Sequence, residues 1–201
     1  METRRCVFVG VGGQGNLLAS RLLGEASLSM KIPVVVSEIH GMAQRGGVVE
    51  SAVLMGDVTS PIVSNGEADI LVGFEPLETM RTLVKCNKNT VVITNTKAIP
   101  PFTVSIGQGE YPPVDEILDR ICTKVDNVIA LNGNQLAEEA GNPLSLNMVM
   151  LGALIGSGAL SITGEAMKET IESSTKKAFL ESNLKAFDMG MEEAKKLAGT
   201  S

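Results

Sequence analysis

The stretch that most constrains the fold is Cys6-Val7-Phe8-Val9-Gly10-Val11-Gly12-Gly13-Gln14-Gly15-Asn16. An apolar run suited to a buried strand gives way to a glycine turn and then to a helical pattern. Gly10, Gly12 and Gly15 fit the spacing Gly-x-Gly-x-x-Gly, and Gly13 adds freedom. A strand that ends this way and opens a helix gathers unpaired N–H groups and the positive end of a helix dipole at one point, which suits an anion. Glycine serves there because the turn visits φ > 0, and because a phosphate approaches the backbone closely only where no Cβ intervenes. The same kind of turn also occurs for packing alone, so the spacing by itself leaves both readings open.

A second polar loop follows the next apolar run, Ile32 to Val36. It reads Ser37-Glu38-Ile39-His40-Gly41-Met42-Ala43-Gln44-Arg45-Gly46-Gly47 and holds the only histidine of the chain. If the second strand lies beside the first in a doubly wound sheet, both loops emerge at carboxyl ends and face one crevice. The alternative is a polar turn that solvates a strand end, and a lone histidine is more often structural than catalytic.

The rest of the chain supports an α/β class: an open, Rossmann-like, mostly parallel sheet with helices on both faces and a helical C-terminal region. Asn16 is placed to cap a helix whose Ala19, Leu23, Ala26 and Met30 share one face, with Leu18 and Leu22 alongside. The uniformly apolar Ile32–Val36 suggests a parallel strand covered on both faces. Val48–Met55 follows with no helix between, so it is expected to run antiparallel or to form the sheet edge. Further strands are expected at Ala68–Phe74, Thr90–Thr94 and Asn127–Leu131. Helices are expected after Glu75-Pro76 (with Leu77, Met80, Leu83 and Val84 buried), over Val114–Thr123 and over Asn132–Ala140. Asn95–Pro113 carries four prolines without helical period and reads as a long surface connection.

From Asn142 onward the pattern is helical. Pro143–Ile155 has the small residues and methionines of a central buried helix, with Asn147 its polar exception. That amide either ties down a neighbouring loop or reaches the crevice, and the structural role is favoured. Thr163 is a candidate cap. Leu180, Leu184, Phe187, Met191, Ala194 and Ala198 form a stripe that packs on its own domain or docks another subunit. One domain over 1–201 is expected, with a sheet part (1–141) and a helical part (142–201).

Charge and composition narrow the function. A net charge of -6 opposes non-specific nucleic-acid binding, which needs a basic surface. An aromatic content of 3% offers no stacking platform for single strands. No apolar stretch has the length and uniformity of a membrane span. Met1–Arg5 runs into a strand with no secretory pattern, so a cytoplasmic protein is expected. Cys6, Cys86 and Cys122 are widely separated, unlike the closely spaced thiolates of an iron–sulfur site, and no metal site is expected on this chain. Cys6 and Cys122 read as small core residues.

Gly10-Val11-Gly12-Gly13-Gln14-Gly15 and Ser37–Gly47, together with Asp69–Pro76 and Asn147–Ala153, resemble the gamma subunit or domain of the 2-oxoacid:ferredoxin oxidoreductases. The form Ser-Glu-x-His-Gly-Met-Ala-Gln-Arg-Gly-Gly is most similar to the beta subunit of the indolepyruvate:ferredoxin oxidoreductase branch. The resemblance covers most of the chain. It implies a small non-redox subunit of an enzyme that decarboxylates a 2-oxoacid on thiamine diphosphate, passes electrons through 4Fe-4S clusters to ferredoxin, and makes acyl-CoA. Thiamine diphosphate and the clusters are then expected on a larger catalytic partner subunit, and coenzyme A is a possible contact of this chain. An arylpyruvate such as indolepyruvate is the expected substrate of the assembled enzyme.

The candidate cofactor-binding residues are Gly10, Gly12, Gly13, Gln14 and Gly15 in the first loop, and Ser37, Glu38, His40, Arg45, Gly46 and Gly47 in the second. Arg45 suits bidentate phosphate bonding. His40 and Glu38 are possible positioning groups, and no catalytic residue is assigned. Two other classes compete. One is an independent nicotinamide- or flavin-binding Rossmann enzyme in which Glu38 is the ribose-binding acid. The other is a non-enzymatic scaffold whose glycine loop is structural.

Overall fold

The computed structural model describes residues 3–40, 47–58, 60–101, 104, 106–107 and 109–199, with the main chain alone at His40. Six strands are hydrogen-bonded into one sheet: β1 (Arg4–Val11), β2 (Val34–His40), β3 (Val48–Met55), β4 (Ala68–Gly73), β5 (Cys86–Asn95) and β6 (Asn127–Leu131). Their order is β2-β3-β1-β4-β5-β6. Only β3 runs against the others, antiparallel to both β1 and β2. Seven α-helices accompany them among the described residues: α1 (Asn16–Ser29), α2 (Pro76–Thr82), α3 (Val114–Lys124), α4 (Gly133–Glu139), α5 (Leu146–Gly156), α6 (Gly164–Ser174) and α7 (Lys177–Ala198). The expected α/β architecture, mostly parallel with helices on both faces, is the one observed. No described helix is long and apolar enough to cross a membrane.

Alternation along the strands sends successive side chains to opposite faces, and each face has its own core. Cys6, Phe8, Val53, Ile70, Val72 and Ile93 meet α1, α4, α5, α6 and α7 on one side. Val7, Val9, Leu54, Leu71 and Val92 meet Leu77 of α2 and Ile117 and Ile121 of α3 on the other. Each fully buried large apolar side chain contributes about 1.5–3 kcal/mol relative to exposure.

The β2 expectation is corrected. Its neighbour is β3, not β1, and it is the sheet edge, with Val35 37% and Val36 39% exposed. A short connection suffices to fold β3 back antiparallel on β2, so β3 takes the place beside β1 that a helix crossover would have left to β2. The apolar run that suggested two covered faces therefore lies where, among the described helices, α1 is the one that packs well on β2.

Smaller differences have similar causes. The α1 cap is Gly15, and Asn16 is the first helical residue. Leu18 is 36% exposed, and Val84, in a 3-10 turn after α2, is 56% exposed. Cys122 is exposed on α3, whereas Cys6 and Cys86 are buried. Thr163 caps α6 as expected, accepting the Ala166 N–H at 3.2 Å.

The α7 stripe packs inward, with Ala186, Phe187, Gly190 and Ala194 buried. Its partner is α5, and three glycines let the two backbones touch. A Cβ on Gly152 would lie 1.9 Å from Phe187 O, one on Gly156 2.3 Å from Met191 O, and one on Gly190 2.0 Å from Val149 O.

Candidate functional site

The carboxyl ends of β1 and β4 are neighbours, and there the sheet order turns: β2 and β3 lie to one side of β1, β4 to β6 to the other. This is where an open α/β sheet leaves a crevice. Much of it is filled from within. Gln14 Oε1 accepts the Val11 N–H at 2.8 Å, and Gln14 Nε2 donates to Phe74 O at 2.7 Å. Both ends of this buried amide thus bind main chain, clasping the glycine turn to the β4–α2 junction. A Cβ on Gly10 would lie 2.7 Å from Gln14 Oε1 and 2.8 Å from Phe74 Cβ, so Gly10 is required by packing.

The turn itself stays open outward. Gly13 (φ 102°) is exposed with nothing within 4 Å of a built Cβ, and Gly15 has φ 79°. Gly12 N–H donates to Gly47 O at 3.0 Å and Gln14 N–H to Val11 O at 3.3 Å. Leu17 N–H is met by Asn16 Oδ1 at 3.0 Å. The N–H groups of Gly13, Gly15 and Asn16 have no acceptor among the described residues. Left-handed residues on either side of Gln14 turn such N–H groups toward one concavity, a nest suited to an anion. No acidic residue occupies the first turn of α1.

The described ends of the second stretch, the His40 main chain and Gly47, are brought to the carboxyl end of β1 through β3. Val11 is in register with Val48, and His40 with Val49. Asn16 Nδ2 donates to Val49 O at 2.8 Å. This bond and the Gly12–Gly47 bond fix the start of β3, and with it the end of the second loop, beside the N-terminus of α1.

Alternation separates the residues of β2. Glu38 shares the α1 face with Phe8 and Ser51, and is exposed. Ser51 Oγ there is buried without a hydrogen-bond partner among the described residues. Ser37 lies on the other face, where its hydroxyl donates to Pro61 O at 2.9 Å. Beside it, Lys85 and Glu50 form a half-buried ion pair at 2.6 Å. The side chain of His40 and all of Arg45 and Gly46 lie outside the described residues. Glu38 stands two strands from the glycine turn, roughly 10 Å across the sheet. A ribose-binding acid belongs on the strand next to that turn.

Three polar residues at this edge were not singled out from the sequence. Glu75, 1% exposed, caps α2 by accepting the Glu78 N–H at 2.9 Å. Its other oxygen accepts the Ile99 N–H at 3.2 Å and the Tyr111 hydroxyl, so one carboxylate holds the long connection after β5 near both its ends. Burial and the Glu75 hydrogen bond push the Tyr111 phenol well above its usual range. Asn95, at the end of β5, donates to Phe74 O and Asn134 Oδ1 and accepts the Gly133 N–H. For Glu75 and Asn95 the trace in the sequence is position, a polar residue just where a strand ends; Tyr111, far along the connection after β5, has none. Among the described residues no group of three His, Cys, Asp or Glu side chains could hold a metal.

Comparison with known proteins agrees over nearly the whole length. A family model described as pyruvate ferredoxin/flavodoxin oxidoreductase matches residues 5–193. Indolepyruvate oxidoreductase subunit IorB of Archaeoglobus fulgidus is 41% identical, over 94% of this chain and 94% of its own. Among solved structures, the gamma subunit of a keto/oxoacid ferredoxin oxidoreductase from Geobacter sulfurreducens superposes with a TM-score of 0.70 at 26% identity, covering 95% of this chain and 98% of that one. The 2-oxoglutarate:ferredoxin oxidoreductase of Magnetococcus marinus, solved with 2-oxoglutarate, coenzyme A and succinyl-CoA bound, shares the fold. Its TM-score is 0.72 at 22% identity, covering 98% of this chain and 32% of that one.

Proposed function

The chain belongs to the pyruvate ferredoxin/flavodoxin oxidoreductase family as a small subunit of a 2-oxoacid:ferredoxin oxidoreductase, and we propose that it supplies the coenzyme A phosphate site. The observation that carries this reading is the exposed glycine nest at the N-terminus of α1, hydrogen-bonded to the end of the second loop. Its free N–H groups offer donors only, which fits a phosphate and not a metal. Arg45 follows from the same loop and would add a charged, bidentate donor. A larger partner subunit carries thiamine diphosphate and the iron–sulfur clusters. Ferredoxin accepts the electrons, and the work is done in the cytoplasm.

In this reading the residues of this chain do no bond making. The nest fixes the phosphates, and Gln14 and Asn95 hold the crevice wall rigid. The partner acts on the 2-oxoacid, and the likeness to indolepyruvate oxidoreductase subunits points to an arylpyruvate.

The test is an anaerobic assay of the assembled complex, following dye reduction by indolepyruvate as coenzyme A is varied. Replacing Arg45 by Ala is expected to raise the KM for coenzyme A about tenfold or more, as loss of a charge-assisted bond would (about 1.5–3 kcal/mol). The complex should stay assembled by gel filtration. An unchanged KM in an intact complex would remove coenzyme A from this loop. A higher kcat/KM for 2-oxoglutarate than for indolepyruvate would overturn the substrate assignment.

A further inference from the structure

Where α6 gives way to α7, every residue from Glu172 to Phe179 is exposed or half-buried. Phe179, on the first turn of α7, is 49% exposed, whereas Phe8, Phe74 and Phe187 are fully buried. Leu144, in the 3-10 turn Pro143–Ser145 that leads into α5, is 82% exposed. One side chain ties these two places together. Asn183 lies one turn beyond Phe179 on the same face of α7. Its Oδ1 accepts the Ser145 hydroxyl at 2.7 Å, and its Nδ2 donates to Thr175 Oγ1 at 3.5 Å. Leu144 therefore stands beside the turn of α7 that carries Phe179, and the joint beneath both is fixed before any partner arrives.

Charge sets this corner apart from the rest of the chain. The net charge is -6, yet Lys176 and Lys177 stand exposed at the start of α7. Lys168 and Lys196 are held by Asp188 and Glu193, whereas neither Lys176 nor Lys177 has an ion-pair partner among the described residues, Glu181 one turn on included. The first turn of α7 has no acidic residue, so the positive end of this 22-residue helix adds to the two cations. An aromatic side chain in solvent, with an apolar neighbour and a charged rim, has the makeup of a protein interface. A second copy does not fit as its occupant, because a twofold contact would set Lys176 and Lys177 against the same two lysines.

We propose that this corner, Phe179 and Leu144 rimmed by Lys176 and Lys177, docks on an acidic face of the larger partner subunit, with the Phe179 ring seated in an apolar pocket there. This rests on the reading of the chain as a small subunit with a larger partner. The lysines steer and align the encounter, and the buried ring slows release.

The test measures binding of the full-length chain to the purified larger subunit by anaerobic biolayer interferometry at low and at high salt. Phe179→Ala is expected to weaken binding about tenfold or more, chiefly through faster release. K176E/K177E should also weaken it about tenfold or more, through slower association that has lost most of its salt dependence. The reversal puts acids at the positive end of α7, where they favour the helix, so that loss of binding is not loss of fold; thermal melting of each variant checks this. R120E/K124E, on α3 across the sheet, should bind as the parent does. Affinity within twofold of the parent for either F179A or K176E/K177E overturns the proposal, and so does equal weakening by R120E/K124E. If the isolated chain sediments as a dimer that F179A dissociates, while binding to the larger subunit is kept, the corner joins two copies and the proposal falls. A parent chain that does not bind the larger subunit at all would remove the partner reading with it.

Discussion

Gly10 and Gly13 belong to one sequence pattern yet answer to different physics. Gly10 has its Cβ position occupied by Gln14 and Phe74, whereas Gly13 faces open space with φ 102°. The pattern announced a turn at these residues, but not which glycine serves the protein and which remains for a ligand, because that depends on Phe74, sixty-four residues away from Gly10. Glu78 shows the same dependence on context. Burial raises its carboxyl above the ordinary value, with Arg81, bonded at 2.8 Å, pulling it back. A raised folded-state value means the fold prefers the neutral acid. The associated stability is therefore present below about pH 4.5 and is lost as the pH rises through the raised value. Glu78→Gln is expected to gain stability over the parent as the pH goes from 4 to 7. Calorimetric melting of both proteins at the two pH values checks this, and a difference independent of pH would contradict it.

At the scale of elements, periodicity located most helices and strands, since each face of each element repeats its own pattern. It could not say what the α7 stripe covers. The answer lies in Gly152, Gly156 and Gly190, which let α5 and α7 pack backbone to backbone. Gly190→Ala is expected to destabilise the protein by about 1–3 kcal/mol through overpacking. Gly109→Ala, where a Cβ meets nothing within 4 Å and φ is not positive, should stay within about 0.5 kcal/mol of the parent. Denaturant midpoints at unchanged slope measure both, and equal midpoints for the two variants would refute the close-packed crossing.

For the whole molecule, the sheet edge that forms the candidate site is held by side chains crossing between strand ends. Asn95, fully buried, joins β5 to the β4–α2 junction and to the start of α4. Asn95→Ala leaves the Gly133 N–H without its acceptor and is expected to cost about 1–3 kcal/mol in a denaturant titration. A loss below about 0.5 kcal/mol would mean that water replaces the amide. The amino-acid sequence by itself determined the α/β class, the glycine turn and the likeness to small oxidoreductase subunits, because these rest on short-range pattern, whereas Ser37 to His40, expected in a loop, continue β2. Only the tertiary structure decided that β3 enters between β1 and β2, that β2 is an exposed edge, and that Asn147 turns its amide onto Gly15. Those outcomes depend on pairings between residues far apart in the chain, where no local period records which strand or helix end will be the neighbour.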